Sequence, residues 1–107
     1  MNLLEKFLTK TVFESYEDFQ EMKFKYPRDF NFATHVVDAW AESEPEKKAL
    51  VWCDDYGNER EFTFSEISDL SQRAAAHLIS KGVKKGDRVM LIMKRRWEVW
   101  EIGRAHV

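Results

Sequence analysis

The adjacent acids Asp54 and Asp55 are the first residues in this sequence whose types suggest chemistry. Two neighbouring carboxylates can hold a divalent metal or share general acid–base work. Here they open the stretch DDYGN, in which Gly57 supplies the backbone freedom of a turn. Adjacent side chains at a hairpin tip point apart, and no third carboxylate follows at calcium-loop spacing. The pattern therefore favours turn chemistry over a metal site or an acid–base pair.

Three other reactive side chains stand alone. Cys53, the single cysteine, ends an apolar run, which favours a buried structural thiol over a nucleophile. His35 lies beside an apolar helical stripe with no second ligand at metal spacing, and His77 lies next to Leu78, so both histidines are interpreted as structural. One cysteine allows neither a disulfide framework nor a zinc pattern, and it predicts a reducing, cytoplasmic compartment.

The charge balance argues against a nucleic-acid partner. The chain has 17 Lys and Arg against 19 Asp and Glu, a net charge of −2. Nucleic-acid binding domains usually carry a strong basic excess on one face. The one local basic run, Lys94-Arg95-Arg96, is interpreted as the solvated end of a strand, because short charge runs are usually surface.

Length and hydropathy indicate one folded domain without a membrane span. The chain has 107 residues, 44% of them hydrophobic, which suits a single globular domain. Glu5 and Lys6 interrupt the apolar N-terminal stretch, which argues against a signal peptide. No stretch approaches the roughly 18 apolar residues that a spanning helix needs. We expect a soluble protein.

Three helices are predicted before the first strand. Apolar residues at helical spacing predict a short helix at about residues 2–9. A second helix follows Ser15, its predicted N-cap. A third runs from Phe32 to Ser43 behind a cap at Asn31, and Pro45 ends it.

A β-hairpin, a long helix and a further strand are predicted next. The hairpin pairs Ala49–Cys53 with Glu59–Phe64. The helix begins at a cap on Ser65 and ends at Gly82 in a Schellman-type stop. The nearly all-apolar run Val89–Met93 predicts a strand covered on both faces. The whole pattern indicates an α/β fold of N-terminal helices, a β-hairpin, a crossover helix and a strand.

Four stretches stand in an order and spacing that identify a family. They are FNFATHVVDAW, EPEKKALVW, FTFSEISDLSQRAAAHL and GVKKGDRVMLIMKRRWEVW. Together they resemble the N-terminal part of AMP-forming acyl-CoA synthetases, and YEDFQEMKFKYPRDFNF is similar to the acetyl- and medium-chain side of that family. The resemblance covers nearly all of residues 11–100. It implies the opening portion of the large N-terminal domain of adenylate-forming enzymes.

The resemblance implies a two-step reaction for a full-length parent. Such an enzyme joins a carboxylic acid to ATP, making an acyl-adenylate and pyrophosphate, and then passes the acyl group to the thiol of CoA. ATP, Mg²⁺ and CoA are thus implied for the parent, with a carboxylic acid as substrate. The family's Ser/Thr/Gly phosphate loop, aromatic-Thr-Glu motif, ribose-binding Asp and C-terminal Lys do not occur in this sequence. No catalytic, cofactor-binding or metal-binding residue is carried over, and the chain alone is predicted to be inactive.

The last seven residues interrupt the resemblance. In the family a segment like KRRWEVW continues into a long apolar helix, whereas here EIGRAHV follows and Gly103 breaks the helical pattern. EIGRAHV resembles the in-frame translation of a common sequencing adapter. We therefore expect residues 1–100 to be a partial AMP-binding domain and residues 101–107 to be a non-native tail. A natural frameshift or a short paralogue is the alternative.

Two other functions stay open. An apolar surface around Trp97 and Trp100 is typical of a small, non-catalytic interaction module. A parent that adenylates aryl or amino acids is the second alternative. The residues that would choose among such substrates are expected beyond Val107.

Overall fold

The computed structural model describes residues 3–102 of the chain. The chain divides into two compact units, Met1–Phe30 and Asn31–Val107. Helices combine with a two-stranded antiparallel sheet, which confirms the predicted α/β class. Among the described residues, no helix is both long enough and apolar enough to cross a membrane.

The first unit contains two short helices, α1 (Leu3–Phe7) and α2 (Tyr16–Glu21). The Ser15 hydroxyl accepts a hydrogen bond from the Asp18 amide at 3.2 Å, which confirms Ser15 as the N-cap of α2. The Lys10 ammonium also donates to the Asp18 carboxylate. That hydrogen bond, more than any other contact, holds the pKa of Asp18 below its usual range.

A short antiparallel contact closes the first unit. An isolated β-bridge joins Leu8 to Phe24. The Phe30 ring meets the Phe7 ring edge-on, with centroids 5.6 Å apart. Edge-to-face geometry of this kind is the favoured arrangement of aromatic pairs.

The second unit opens with a helical stretch that combines two helix types. It is π-helical over Ala33–Asp38 and α-helical over Ala39–Ser43, here called α3. The Asn31 side chain accepts a hydrogen bond from the Ala33 amide at 2.8 Å, which confirms the predicted cap. The prediction of a plain α-helix is wrong over the first half. A π-helical turn is wider, and the consecutive residues Val36 and Val37 both face the interior.

Two strands form the predicted hairpin, β1 (Lys48–Cys53) and β2 (Glu59–Thr63). They pair antiparallel, with Leu50 opposite Phe62. Phe62 is only 3% exposed, so this pair marks the inner face of the hairpin. Gly57 adopts a φ of +85° in the connecting loop, a conformation that glycine reaches without strain.

The long helix α4 runs over Phe64–Ser80 and begins earlier than predicted. Its N-cap is Thr63, and the prediction of Ser65 is wrong. The Thr63 hydroxyl accepts from the Glu66 amide at 3.2 Å, and the Glu66 carboxylate accepts from the Thr63 amide at 2.8 Å. This reciprocal capping box follows from the spacing Thr-x-x-Glu, which satisfies two otherwise unpaired amides.

The end of α4 follows the predicted stop. Gly82 has a φ of +90° and donates its amide to the Ile79 carbonyl at 2.9 Å. The Val83 amide donates to the Leu78 carbonyl at 3.2 Å. These two bonds make a Schellman motif and confirm the role of Gly82.

The core of the second unit lies where α4 meets the hairpin and the first helical stretch. Ile67 is 6% exposed, and Phe64 stacks on Trp40 with ring centroids 5.7 Å apart. The Ser68 hydroxyl donates to the Asp38 carboxylate at 2.7 Å. This bond gives a buried hydroxyl its partner and joins the two helices.

The predicted strand Val89–Met93 does not form in the described part of the chain. Its residues lie in neither a helix nor a strand, and Met90 and Ile92 are 84% and 85% exposed. A strand covered on both faces was therefore a wrong prediction. Apolar composition gives only a tendency to form a strand. A strand also needs a neighbouring backbone that forms hydrogen bonds with its N–H and C=O groups. A last helix, α5 (Val99–Ile102), packs against α4.

Candidate functional site

Asp54 is a turn residue, as the sequence predicts. Its carboxylate accepts from the amides of Tyr56 and Asn58 at 2.9 Å each, and from the Asn58 side chain at 2.7 Å. The Asn58 side-chain bond is the largest influence that lowers the pKa of Asp54. Asp55 is exposed beside it. Since the Asp54 carboxylate is used within the loop, the pair forms no acid–base arrangement.

Cys53 is exposed, so the prediction of a buried thiol is wrong. In β1 the side chains alternate between two faces, and Cys53 lies on the same outer face as Val51, which is 56% exposed. Leu50 and Trp52 occupy the inner face. In an apolar run, the sequence does not show which of the two faces of the strand will be packed against the rest of the protein. The prediction of a buried Cys53 failed for this reason.

The two histidines that were considered as metal ligands, His35 and His77, lie in different helices. The Asn31 amide donates to Nδ1 of His35 at 3.0 Å, at the start of the π-helical stretch. His77 is exposed near the end of α4. Within residues 3–102, no group of three or more His, Cys, Asp or Glu side chains could hold a metal ion.

The basic run Lys94-Arg95-Arg96 is exposed, as predicted. Arg96 pairs with Glu98 at 2.9 Å. The backbone carbonyl of Arg95 accepts a hydrogen bond from the Trp52 indole at 3.0 Å. This bond fixes the run beside β1 through its backbone and leaves the cationic side chains in solvent.

An apolar cavity of about 210 Å³ lies among the described residues of the second unit. Three aromatic rings, Phe32, Phe64 and Trp100, form part of its wall. Aliphatic side chains from the π-helical stretch, β1 and α4 complete it. The cavity is therefore bounded by elements that lie far apart in sequence, which is why the sequence pattern alone did not reveal it.

The cavity does not fit the groups that the family resemblance implies. Its lining side chains are all apolar, with no cation, hydroxyl or carboxylate among them. A nucleotide triphosphate with Mg²⁺ needs amide donors, cations and oxygen ligands around its charges. Burying such charges against apolar walls is strongly unfavourable. No step of ATP or CoA chemistry is therefore assigned to these residues.

An arginine–aromatic cluster lies on the inner face of the hairpin. The Arg60 guanidinium is 4.4 Å from the centroid of the Trp97 ring and 4.8 Å from that of Phe62. The two rings are 5.0 Å apart. Arginine over aromatic faces is a stabilising arrangement, and here it attaches the residues before α5 to the hairpin. The alternation of β2 was the available signal, since it places Arg60 and Phe62 on one face.

Two glutamates next to this cluster have pKa values displaced in opposite directions. One Glu101 carboxylate oxygen is buried and finds no hydrogen-bond partner among the described residues. Burial is the main cause that raises the pKa of Glu101, followed by the charge of Glu98. The hydrogen bond from Arg96 is the main cause that lowers the pKa of Glu98. Of the predicted non-native tail, residues 101–107, Glu101 and Ile102 end α5 and residues 103–107 lie outside the described residues, so the tail stays a prediction.

Comparison with known proteins gives consistent matches over this chain. The family model described as AMP-binding enzyme matches residues 37–103. The chain is 37% identical over 86 residues to human acyl-coenzyme A synthetase ACSM4, mitochondrial, covering 74% of this chain. It is 36% identical over 100 residues to human acyl-coenzyme A synthetase ACSM3, mitochondrial, covering 86% of this chain. These matches cover 15% and 17% of the two relatives, so the chain spans only a small part of their length.

Proposed function

The chain belongs to the AMP-binding enzyme family, and from this we propose that it is the opening scaffold of an acyl-CoA synthetase. Two observations support the proposal. The relatives that match it are named acyl-coenzyme A synthetases, and the match runs through the hairpin, α4 and α5. The single observation that carries most weight is the family match over residues 37–103.

For the whole protein we propose acid activation with ATP. A carboxylic acid reacts with ATP to give an acyl-adenylate and pyrophosphate, and the CoA thiol then takes the acyl group as a thioester and releases AMP. Mg²⁺ would neutralise developing phosphate charge, as in other phosphate chemistry. The cytoplasm stays our proposed compartment, while the names of the relatives describe those proteins as mitochondrial.

The proposed role of the described residues is structural. The Asp54 carboxylate is bonded within its loop, and the cavity is lined by apolar groups only. Arg60 lies against aromatic rings rather than toward an open polar cleft. These contacts support a scaffold that positions other parts of a larger enzyme, and they support inactivity of the chain alone.

Acid-dependent exchange of pyrophosphate into ATP tests this proposal. We expect no exchange by the 107-residue chain and clear exchange by a full-length relative assayed beside it. Exchange by this chain that rises with added carboxylic acid would show that it carries catalytic groups of its own. Sequencing the coding region from source DNA is the companion test. A downstream Ser/Thr/Gly phosphate loop is expected, and its absence would contradict the acyl-CoA synthetase parent.

A small interaction module is the second candidate function. One observation favours it: Trp100 is 59% exposed although it also lines the cavity. Exposed aromatic surface of this kind is typical of partner sites. Size-exclusion chromatography separates the candidates, because a defined monomer or dimer favours a module and aggregates favour an incomplete scaffold. An aryl- or amino-acid-adenylating parent stays the alternative within the family.

A further inference from the structure

The helical stretch over residues 33–43 is attached at both ends of its π-helical part. At the upstream end, the Asn31 side chain accepts a hydrogen bond from the Ala33 amide at 2.8 Å. The Asn31 carbonyl accepts from the His35 amide, also at 2.8 Å. Ala33 is 6% exposed, so this end lies in a packed position. These contacts fix the rotation of the helix where it begins.

At the downstream end, two side-chain hydrogen bonds in series hold Asp38 to α4. The Ser68 hydroxyl donates to the Asp38 carboxylate at 2.7 Å, and it accepts from the Gln72 side-chain amide at 3.0 Å. Ser68 is 7% exposed, and a buried hydroxyl without an acceptor is unfavourable. Hydrogen bonds in series also strengthen one another. The Asp38 side chain is therefore held in one direction, toward α4.

The π-helical turn allows both attachments to exist together. An α-helix turns about 100° per residue, and each amide bonds to the carbonyl four residues back. In a π-helical turn the amide bonds five residues back, so the turn holds one additional residue. If residues 33–38 formed a plain α-helix with Ala33 in place, Asp38 would lie about 100° further around the axis. The Ser68 hydroxyl would then lose its acceptor.

We propose that the hydrogen bond between Asp38 and Ser68 is a register lock, which keeps residues 33–38 in a π-helical state instead of an α-helical one. Without such a contact the α-helical state is expected, because π-helical turns are rare and occur as single insertions within α-helices. The stretch thus has two states, a locked π-helical one and a released α-helical one. Val36 and Val37 line the apolar cavity, and the rotation between the states would change which of them faces it.

The aromatic contact further along the same helix has a different role. Trp40 in α3 stacks on Phe64 in α4, with ring centroids 5.7 Å apart. Stacked rings form a broad contact that tolerates sliding, whereas a hydrogen bond to a carboxylate weakens steeply when its angle changes. The stack therefore stabilises the packing of α3 on α4, and the lock selects the register.

Hydrogen-bond scalar couplings, measured by NMR on the full chain, test the register lock. Each coupling identifies the carbonyl that a given amide bonds. For the amides of Val37 and Asp38 we expect couplings to the fifth residue back in the unaltered chain, and to the fourth residue back in Ser68→Ala. The ratio of π-helical to α-helical chains should fall about tenfold or more, as expected for the loss of a hydrogen bond to a charged group.

Ser71→Ala is the matched control. Ser71 also lies in α4 and is 3% exposed, and its hydroxyl donates to the Ser68 carbonyl within the helix at 2.9 Å. The same atom is thus removed from the same helix at similar burial, and the couplings of Val37 and Asp38 should not change. Asp38→Asn retains an oxygen that can accept from Ser68 and should keep the π-helical couplings, whereas Asp38→Ala should lose them.

Three outcomes would overturn the register lock. One is the same couplings in the unaltered chain, Ser68→Ala and Asp38→Ala, because other contacts would then hold the π-helical turn. Another is an equal change in Ser71→Ala, which would indicate general loosening of α4. The third is coupling to the fourth residue back in the unaltered chain. If Ser68→Ala does not fold, the two Asp38 variants still decide, since Asp38 is only partly buried. The assay of pyrophosphate exchange is unaffected, so the two proposals fail independently.

Discussion

At the scale of single residues, Glu98 and Glu101 lie one helical turn apart in different environments. Glu98 accepts hydrogen bonds from Nε and Nη2 of the Arg96 guanidinium and is stabilised as an anion. Glu101 buries one carboxylate oxygen without a hydrogen-bond partner in the described residues, and burial favours its neutral form. The same side-chain type thus stabilises the fold at one position and opposes it at the other.

The two glutamates should give opposite results when their charge is removed. A raised folded pKa means that ionised Glu101 destabilises the fold at neutral pH, so Glu101→Gln should increase the free energy of unfolding there. That gain should shrink as pH falls toward the ordinary glutamate value of 4.5. Glu98→Gln should decrease the free energy of unfolding at neutral pH, and the loss should shrink as pH falls below 4.5.

Urea unfolding followed by tryptophan fluorescence at several pH values measures both effects. All four tryptophans lie in the second unit, so the signal reports the region that holds the two glutamates. A destabilised Glu101→Gln variant at neutral pH would contradict the unfavourable burial of this carboxylate.

At the scale of elements, the start of α4 shows how a side-chain pair sets a boundary. Thr63 and Glu66 satisfy each other's backbone amides and stop β2 where the helix begins. Ser65 carries a hydroxyl two residues further on, inside the first turn of α4. The two candidate caps are close in sequence and differ in what their side chains contact.

Alanine substitutions distinguish these two caps. Thr63→Ala should lower the free energy of unfolding by about 1 kcal/mol, because the Glu66 amide loses its acceptor. Ser65→Ala is the matched control and should change it by less than about 0.5 kcal/mol, as exposed substitutions usually do. The measurement is again urea unfolding, and a larger loss from Ser65→Ala would return the cap to Ser65.

The elements also show what could be predicted from the sequence. Local chemistry predicted the Ser15 cap, the loop of the hairpin and the Schellman stop at Gly82, because neighbouring residues decide each of them. The state of Val89–Met93 and the face of Cys53 depend on which distant backbone or side chain covers them. Periodicity carries no information about those partners, so both predictions failed.

At the scale of the whole molecule, the cavity is the product of long-range packing. Its walls come from the π-helical stretch, β1, α4 and α5, and no single element contains it. The sequence therefore predicted most of the elements that line the cavity but did not predict the cavity. Ala49, in β1, is one of the smaller side chains on its wall and leaves room for a larger one.

Filling the cavity from Ala49 should stabilise the second unit. Ala49→Val adds apolar volume and should raise the free energy of unfolding by about 1 kcal/mol. Ala49→Thr is nearly the same shape and also β-branched, yet it places a hydroxyl against apolar walls, so it should be about 1 kcal/mol less stable than Ala49→Val. Thermal unfolding of the two variants compares them directly, and equal stability would mean that the site is hydrated.

The concentration of positive charge in residues 81–96 governs how the chain behaves during purification. With an isoelectric point near 5.9, the protein is expected to pass through a cation-exchange column at neutral pH. The seven exposed Lys and Arg residues of this stretch, with Asp87 as its single acid, instead present a local charge of +6 to the resin, while the rest of the chain carries the compensating negative charge. The chain should therefore be retained by both cation and anion exchangers at low ionic strength, because its surface carries a concentrated group of cations as well as many separate acids.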